Sequence, residues 1–152
     1  MPFKFGQLEV WRLALEYIDL VDGIAAQLPR SEEYNLKSQI TRAATSVALN
    51  IAEGSTGQTD AEQARFLGLA IRSALETVAC QHIVNRRELI QDKTVLRTAY
   101  RHAELLVAKL HSMRKTLVPE QTWLREEKAV YETNAGQDPL MLDSESARAG
   151  VR

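Results

Sequence analysis

The sequence predicts an all-α protein, an antiparallel up-down-up-down four-helix bundle with a short C-terminal helix or loose tail. Apolar residues recur at steps of three and four through most of the first 118 residues, and no segment alternates with a period of two. Gly and Pro are sparse and lie mostly between the periodic segments. With 152 residues the chain is one ordinary domain in size. We expect the bundle in residues 1–118, and a docking helix followed by a flexible acidic tail in residues 119–152.

The first two helices are separated by a proline. We expect the first helix over about residues 8–28, because its apolar residues share one face and Pro29 cannot continue it. Ser31 is the expected N-cap of the second helix. This helix should extend to Glu53 and stop at Gly54, a residue suited to the left-handed position after a helix. The expected core positions of the first helix are Val10, Leu13, Ala14, Tyr17, Val21, Ile24 and Leu28.

Capping signals mark the other two helices. Thr59 and Glu62 form a capping box, which predicts a third helix that extends to about Ile90. Asp92 is the expected cap of a fourth helix. The third helix should bury Phe66, Leu67, Ala70, Ala74 and Val78. The fourth has a coiled-coil-like apolar seam formed by Leu96, Ala99, Ala103, Leu106, Leu110, Met113 and Leu117. Beyond Pro119, residues 121–131 are the expected docking helix, and the loose tail starts at Asn134.

Composition indicates a globular protein without a general attraction for nucleic acid or membranes. The chain is 45% hydrophobic and 26% charged, with a formal net charge of −1. The charge is uneven, because six basic and two acidic residues give residues 92–118 a net +4, whereas residues 119–152 carry −3. One cysteine, Cys80, excludes an intrachain disulfide and fits a reducing compartment. No stretch approaches the ~20 apolar residues of a membrane span, so we expect a cytoplasmic protein.

The second helix has an uncharged stretch, residues 43–52, that predicts burial on more than one side. On a helical wheel it separates into three stripes. The core stripe is Leu36, Ile40, Ala43, Ala44, Val47 and Ile51. A small-residue stripe, which lets another helix approach closely, is Thr41, Thr45, Ala48 and Ala52; the alternative is a plain solvent face. A polar stripe is Gln39, Arg42, Ser46, Asn50 and Glu53.

Polar residues of the third helix are expected to meet this polar stripe. They belong to a mixed stripe made of Leu69, Ser73, Glu76, Cys80, Ile83 and Arg87. An Arg42–Glu76 pair, with Asn50 and Ser73 nearby, would form a partly buried polar network. Such networks fix register and partner choice more reliably than they add stability. We therefore expect Gln39, Arg42, Ser46, Asn50, Glu53, Ser73 and Glu76 to set subunit contacts, and expect Arg42→Ala to disrupt assembly.

Residue patterns of enzymes and metal sites are missing from the sequence. Di-metal carboxylate bundles need Glu-x-x-His pairs, but Ala stands three residues before each of His82, His102 and His111. Cys80 and His82 lie two residues apart and point to different helix faces. The 54–57 loop has glycines that favour anion binding, yet it lacks the Gly-Lys-Ser/Thr end of a phosphate loop, so a connecting loop is the better interpretation. We expect no enzyme, no metal and no cofactor.

Three motifs carry a resemblance to a known family. They are Phe5-x-x-Leu8-Glu9-Val10-Trp11, Ser38-Gln39-Ile40-x-Arg42-Ala43-Ala44-x-Ser46-Val47-x-x-Asn50-Ile51-Ala52-Glu53-Gly54, and Phe66-Leu67-x-x-Ala70-x-x-Ser73-x-x-Glu76. Over about residues 3–117 the chain resembles the bacterial four helix bundle protein family, also named for proteins encoded in intervening sequences of large-subunit ribosomal RNA genes. The resemblance implies a bundle that assembles into a ring of five subunits, with no established enzymatic activity.

The same resemblance raises the possibility of nucleic-acid binding. Related accessory proteins of diversity-generating retroelements form pentameric bundles and bind nucleic acid and a reverse transcriptase. This chain departs from the pattern, because Thr77 and Val78 replace a hydrophobic residue and a second Glu, the acidic tail after Val118 is longer, and the charge is near neutral. Two hypotheses therefore stay open. The first is a cytoplasmic homo-oligomeric scaffold, and the second is binding of structured RNA or DNA through Lys93, Arg97, Arg101, Lys109, Arg114 and Lys115.

Overall fold

The computed structural model of the protein describes residues 2–57 and 59–118, and the expected docking helix and acidic tail lie outside these ranges. The described residues form four α-helices and two short 3₁₀ turns, with no strand among them. The turns cover Lys4–Gln7 and Arg30–Glu32. The helices are α1, Glu9–Gln27; α2, Leu36–Ser55; α3, Asp60–Arg86; and α4, Thr94–Leu117.

Helices that follow one another along the chain pack side by side in opposite directions, as the sequence predicts. The hydroxyls of Ser46 on α2 and Ser73 on α3 lie 2.9 Å apart. Gly54, which follows Ser46 on α2, faces Phe66, which precedes Ser73 on α3. Residue numbers thus rise on one helix as they fall on the other. Contacts between α3 and α4 and between α1 and α4 run in the same opposed sense, which closes an antiparallel four-helix bundle.

The predicted core faces of α1 and α2 are confirmed, since all seven positions on α1 and all six on α2 are buried. On α4 the first five positions of the apolar seam are buried, whereas Met113 and Leu117 at its end are half-buried. On α3 the prediction is only partly right. Phe66 and Val78 are half-buried, and the core face instead continues through Thr77, Gln81 and Val84.

A chain of buried hydrogen bonds crosses the core between the diagonal helices α1 and α3. Gln81 Nε2 donates to Tyr17 Oη at 2.8 Å, and the Tyr17 hydroxyl lies 2.5 Å from Thr77 Oγ1. Thr77 in turn donates to the carbonyl of Ala74. Because the Thr77 proton is used there, the Tyr17 hydroxyl must donate to Thr77. Burial raises the pKa of Tyr17 to about 12, although its hydrogen bonds with Thr77 and Gln81 lower it, so the phenol stays a neutral donor.

Helix α2 does not end where the sequence suggests. The expected left-handed glycine is wrong, because Gly54 lies inside α2, is buried, and no glycine in the described residues has a positive φ. A Cβ built on Gly54 would meet Phe66 Cβ at 2.9 Å, closer than real Cβ contacts. Glycine is therefore needed at this position for the close approach of α2 and α3 rather than for a turn.

The start of α2 also differs from the prediction. Ser31 lies in a 3₁₀ turn, and α2 begins five residues later, at Leu36. The buried Glu32 carboxylate is the local hydrogen-bond acceptor in place of Ser31. It accepts from Asn35 Nδ2 at 2.8 Å and from the Leu36 amide at 3.5 Å. Arg87 Nη1 at the end of α3 donates to the other Glu32 oxygen at 2.7 Å. Glu32 therefore ties the α1–α2 connection to the far end of α3.

Helix α3 begins at its predicted cap and ends before Ile90. Thr59 accepts from the Glu62 amide at 3.1 Å, which confirms the N-cap. The helix ends at Arg86, after which Glu88 adopts a left-handed φ of 51° and the Leu89 amide bonds back to the Val84 carbonyl at 3.1 Å. This pattern is a Schellman motif, which glycine usually provides.

Before α4, the Asp92 carboxylate accepts from the Thr94 amide at 2.9 Å, although the cap position itself is Lys93. The predicted acceptor is therefore correct, but it lies one residue before the cap.

We predict that Gly54→Ala destabilises the protein by about 1–3 kcal/mol, because the new methyl group overpacks the contact with Phe66. Gly23→Ala is the matched control. Its Cβ would lie 3.4 Å from Val95 Cγ2, an ordinary contact, so helix propensity should leave the protein equally stable or more stable by about 0.5–1 kcal/mol. Urea unfolding followed by circular dichroism measures both, and equal effects would contradict the role given to Gly54.

We predict a loss of stability at acidic pH that depends on Glu32. Burial by itself raises the pKa of this carboxyl, but the hydrogen bonds from Asn35, Arg87 and the Leu36 amide outweigh it and hold the pKa below the usual value. A lowered folded-state pKa contributes stability that is present above the unfolded-state pKa and is lost as the pH falls through the folded one. Urea midpoints from pH 7 to pH 3 should therefore fall more steeply for the wild type than for Glu32→Gln.

The contribution of Asp92 has the same sign, because the hydrogen bonds from Thr94 also lower the pKa of Asp92. Glu32→Gln should therefore keep the part of the acid dependence that comes from Asp92. Asp92→Asn is the control that measures this part separately. A Glu32→Gln protein as stable as the wild type at pH 7, with the same acid dependence, would contradict the assignment.

Candidate subunit interface

The outward side of α2 carries small side chains and one exposed leucine. Leu49 is 58% exposed although α2 is flanked by two packed helices. Around it lies a shallow depression lined by Ser38, Thr41, Arg42, Thr45, Ser46 and Leu49. These residues form two overlapping sets with the spacing i, i+3, i+4, i+7, the arrangement that accepts a side chain from a facing helix in knobs-into-holes packing. We call this surface, with Ala52 and Glu53, the α2 outer face.

The predicted small-residue stripe lies only partly on this face. Thr45 is exposed, and Thr41 and Ala52 are half-buried. Ala48 is 3% exposed, because it turns toward the subunit core and is already used within the bundle. The stripe therefore contributes three of its four residues to the outward surface.

The predicted polar network exists in part. The hydroxyl of Ser46 bonds to that of Ser73 at 2.9 Å, and Asn50 Nδ2 donates to the Ser46 carbonyl and hydroxyl at 2.8 and 3.1 Å. These half-buried groups line the floor of the groove between α2 and α3. Asn50 follows Ser46 by one helical turn, so its two hydrogen bonds hold the side chains of both residues in place on α2. Within this network, the Ser46–Ser73 bond is the one that joins α2 to α3.

The expected Arg42–Glu76 pair is wrong within one subunit. Arg42 Nη2 donates to the hydroxyl of Ser38 at 3.1 Å, and no ion pair within residues 2–57 and 59–118 includes Glu76. Both side chains are exposed, where water solvates each charge and an ion pair gains little. Gln39 and Glu53 are exposed as well. Four of the seven predicted contact residues, Gln39, Arg42, Glu53 and Glu76, thus face solvent in the single chain.

Leu49 was not among the surface residues predicted from the sequence. Its wheel position lies between the small-residue stripe and the polar stripe, directly opposite the core stripe. That position was a sufficient signal, because a leucine opposite the core face of an amphipathic helix is either exposed or covered by another molecule. Leu15 on α1, 42% exposed, was missed in the same way.

Only four of the six basic residues predicted to contact nucleic acid lie together on the outward side of α4 and its N-cap. Arg101 and Lys115 are exposed and Lys93 and Arg97 half-buried on its outward side, whereas Lys109 pairs with Glu9 of α1 at 3.4 Å. Arg114 is 8% exposed, and its guanidinium packs against Gly68 of α3, where a Cβ would meet Arg114 Cζ at 2.9 Å. The prediction of a nucleic-acid contact is therefore wrong for Arg114 in the single chain.

The described residues hold no group of three or more His, Cys, Asp or Glu that could bind a metal ion. Cys80 is buried, and burial raises the pKa of its thiol, which keeps it protonated and unreactive. None of the helices in the described part of the chain is both long and apolar enough to cross a membrane.

The fold is an all-helical bundle of four helices, and its second helix exposes Leu49 among mostly small side chains. The family model for the 23S rRNA-intervening sequence protein matches residues 6–112, and the chain belongs to this family. A search of curated proteins found no match. Among solved structures, the chain is similar to a protein with unknown function from the S23 ribosomal protein family of Bacteroides thetaiotaomicron. The TM-score is 0.63 at 23% sequence identity, over 70% of this chain and 95% of that one, which supports the fold alone.

Proposed function

We propose that the protein is a non-enzymatic cytoplasmic scaffold that assembles with copies of itself into a ring, with five subunits as the expected number. The α2 outer face is the surface that joins one copy to the next. Gln39, Arg42, Ser46, Asn50 and Glu53 set the contact on this helix, together with the small residues beside them. The ring presents its other helices to further partners.

The observation that supports this proposal is the exposed Leu49 within a depression of small side chains. Over residues 38–52 the outward side of α2 carries a single charged residue, Arg42. Solvent faces of helices normally carry several Lys and Glu residues, which keep them soluble. Filling the depression with a side chain from another helix would remove Leu49 from water and cover a surface whose one charged residue is Arg42.

We predict that Leu49→Glu breaks the assembly while leaving the subunit folded. The wild type should elute in size-exclusion chromatography with light scattering at a multiple of 17.1 kDa, and the variant should move toward 17.1 kDa. A buried contact of this kind contributes about 2 kcal/mol or more. Arg42→Ala should weaken the assembly in the same direction. Helicity by circular dichroism should not change, because Leu49 is outside the core.

Leu105→Glu is the matched control, since Leu105 is 46% exposed on the outward side of α4. The proposal expects this variant to keep the wild-type mass. A wild-type protein that remains at 17.1 kDa at micromolar concentrations, or equal effects of the Leu49 and Leu105 substitutions, would overturn it.

Nucleic-acid binding is the second candidate, and one observation favours it. Basic residues on the outward side of α4 are joined by exposed arginines on the neighbouring α3. Glu104 is the only acidic residue of α4. The exposed or half-buried basic groups of the two helices are Arg65, Arg72, Arg86, Lys93, Arg97, Arg101 and Lys115. A surface of this sign attracts a phosphate backbone without reading its sequence.

If this second function holds, we predict that structured RNA or duplex DNA binds the protein at about 50 mM salt. The binding affinity should fall steeply as the salt concentration increases, because binding releases counterions. Arg101→Glu combined with Lys115→Glu should weaken binding by about tenfold or more. Arg30→Glu, an exposed charge outside this surface, is the control. Fluorescence anisotropy measures all three, and the absence of any binding at low salt would rule this candidate out.

A further inference from the structure

The outer face of α1 is chemically unlike that of α2. It carries two acidic residues beside an exposed leucine, and Leu15 is 42% exposed. Its exposed residues follow one another at steps of three and four, which places them on one stripe of the helix. We call this stripe the α1 outer face; its exposed residues are Arg12, Leu15, Asp19, Asp22 and Ala26.

Two features of the α1 outer face have the same spacing as two features of the α2 outer face. Asp22 follows Leu15 by seven residues, and Arg42 precedes Leu49 by seven residues. Seven residues span about 10.5 Å along a helix. When the two faces are placed antiparallel, the leucines meet and the aspartate lies opposite the arginine.

The remaining positions of this antiparallel register are also compatible. No like charges oppose one another along the two stripes, and the small residue at the end of one meets a small residue on the other. The further pairs are Arg12 near Glu53, Asp19 opposite Thr45, and Ala26 opposite Ser38.

We propose that the α1 outer face of one copy of this chain packs antiparallel on the α2 outer face of a second copy, with Leu15 against Leu49 and Asp22 paired with Arg42. This contact rests on the proposed homo-oligomeric function and names the surface that completes it. Because two different faces meet, the contact is heterologous, and copies related by rotation about an axis along the bundle close into a ring. Such a rotation keeps α1 of one copy antiparallel to α2 of the next.

The charges of the central pair, Asp22 and Arg42, are available for an intersubunit contact, whereas Arg12 pairs with Glu16 of its own helix at 3.8 Å. Within residues 2–57 and 59–118, neither Asp19 nor Asp22 belongs to an ion pair. Arg42 donates only to the Ser38 hydroxyl, an exposed bond that water can replace. The two faces point outward from the same bundle, so one subunit does not satisfy the pairing by itself.

Helix α3 offers a competing partner for the α2 outer face. Ile83 is 43% exposed and lies seven residues after Glu76, so a parallel helix would place Ile83 on Leu49 and Glu76 on Arg42. In that register Glu53 faces Arg87, whose guanidinium is already bound to Glu32 at 2.7 Å. A parallel α2–α3 contact also requires one copy to be inverted relative to the other, which does not form a ring about the bundle axis. The α1 pairing therefore fits better than this parallel α2–α3 register.

Charge exchange tests the pairing on the full-length protein. We expect Asp22→Arg and Arg42→Asp each to raise the concentration at which the oligomer dissociates by about tenfold or more, because like charges then oppose one another. The Asp22→Arg/Arg42→Asp double variant should return to within about threefold of the wild type. Analytical ultracentrifugation measures the dissociation, and circular dichroism confirms that each variant is folded.

The competing partner is tested by Arg42→Asp combined with Glu76→Arg. The proposal expects no recovery in this variant, and recovery here but not with Asp22→Arg would overturn the α1 assignment. A wild type that is monomeric throughout would instead show that the proposed function has failed. The two failures are therefore distinguishable.

Disulfide trapping tests the register directly. In Leu15→Cys/Leu49→Cys, oxidation should produce a ladder of covalent oligomers on a non-reducing gel that ends at the ring, while native Cys80 stays buried and unreacted. Each single-cysteine variant is the control and should give no ladder. Crosslinking by Leu49→Cys alone, or a product that stops at the dimer, would overturn the proposed heterologous contact.

Discussion

The hydrogen-bond chain from Gln81 through Tyr17 to Thr77 is the constraint on which the arrangement of the helices depends. It is a polar cluster in the centre of the bundle, and it joins the diagonal helices α1 and α3, which are not neighbours in the chain. Apolar packing permits small shifts of one helix along another, but the hydrogen bonds from Gln81 Nε2 to Tyr17 and from Tyr17 to Thr77 form at one register only. Removing one member would leave a buried polar group without a partner, at a cost of about 1–3 kcal/mol.

With α1 and α3 set in this way, the small residues of α2 determine which of its surfaces are available. Gly54 permits α2 to approach Phe66, and the Ser46–Ser73 hydrogen bond joins α2 to α3 at a second level. The core stripe of α2 turns inward completely, so its outward side retains Leu49 and the depression around it. The proposed assembly surface therefore follows from how tightly α2 packs against the rest of its own subunit.

The sequence predicted the fold well because its dominant signal is the helical period of the apolar residues. All the predicted core positions of α1 and α2 are buried, and Thr59 caps α3 as expected. The errors arose where tertiary contacts override local signals. Gly54 looks like a helix end but serves a close contact, and Glu88 ends α3 without the glycine that usually marks such an end. Local sequence carries no information about either event.

The candidate interface was only half predictable for a similar reason. A wheel identifies which residues of α2 share a face, and it located Ser46, Asn50 and Ser73 correctly around one groove. It does not show whether two exposed charges will pair, and Arg42 in fact bonds to Ser38 rather than to Glu76. Residues on α1 such as Asp22 become relevant only when the bundle shows which faces remain open.

Native mass spectrometry of the 152-residue chain is the sharpest test of ring assembly, because it counts the subunits of the intact oligomer. We expect one closed species with five copies of the 17.1 kDa chain and no series of open intermediates. A spectrum dominated by the 17.1 kDa monomer at micromolar concentration would contradict it, as would an unlimited series of oligomers.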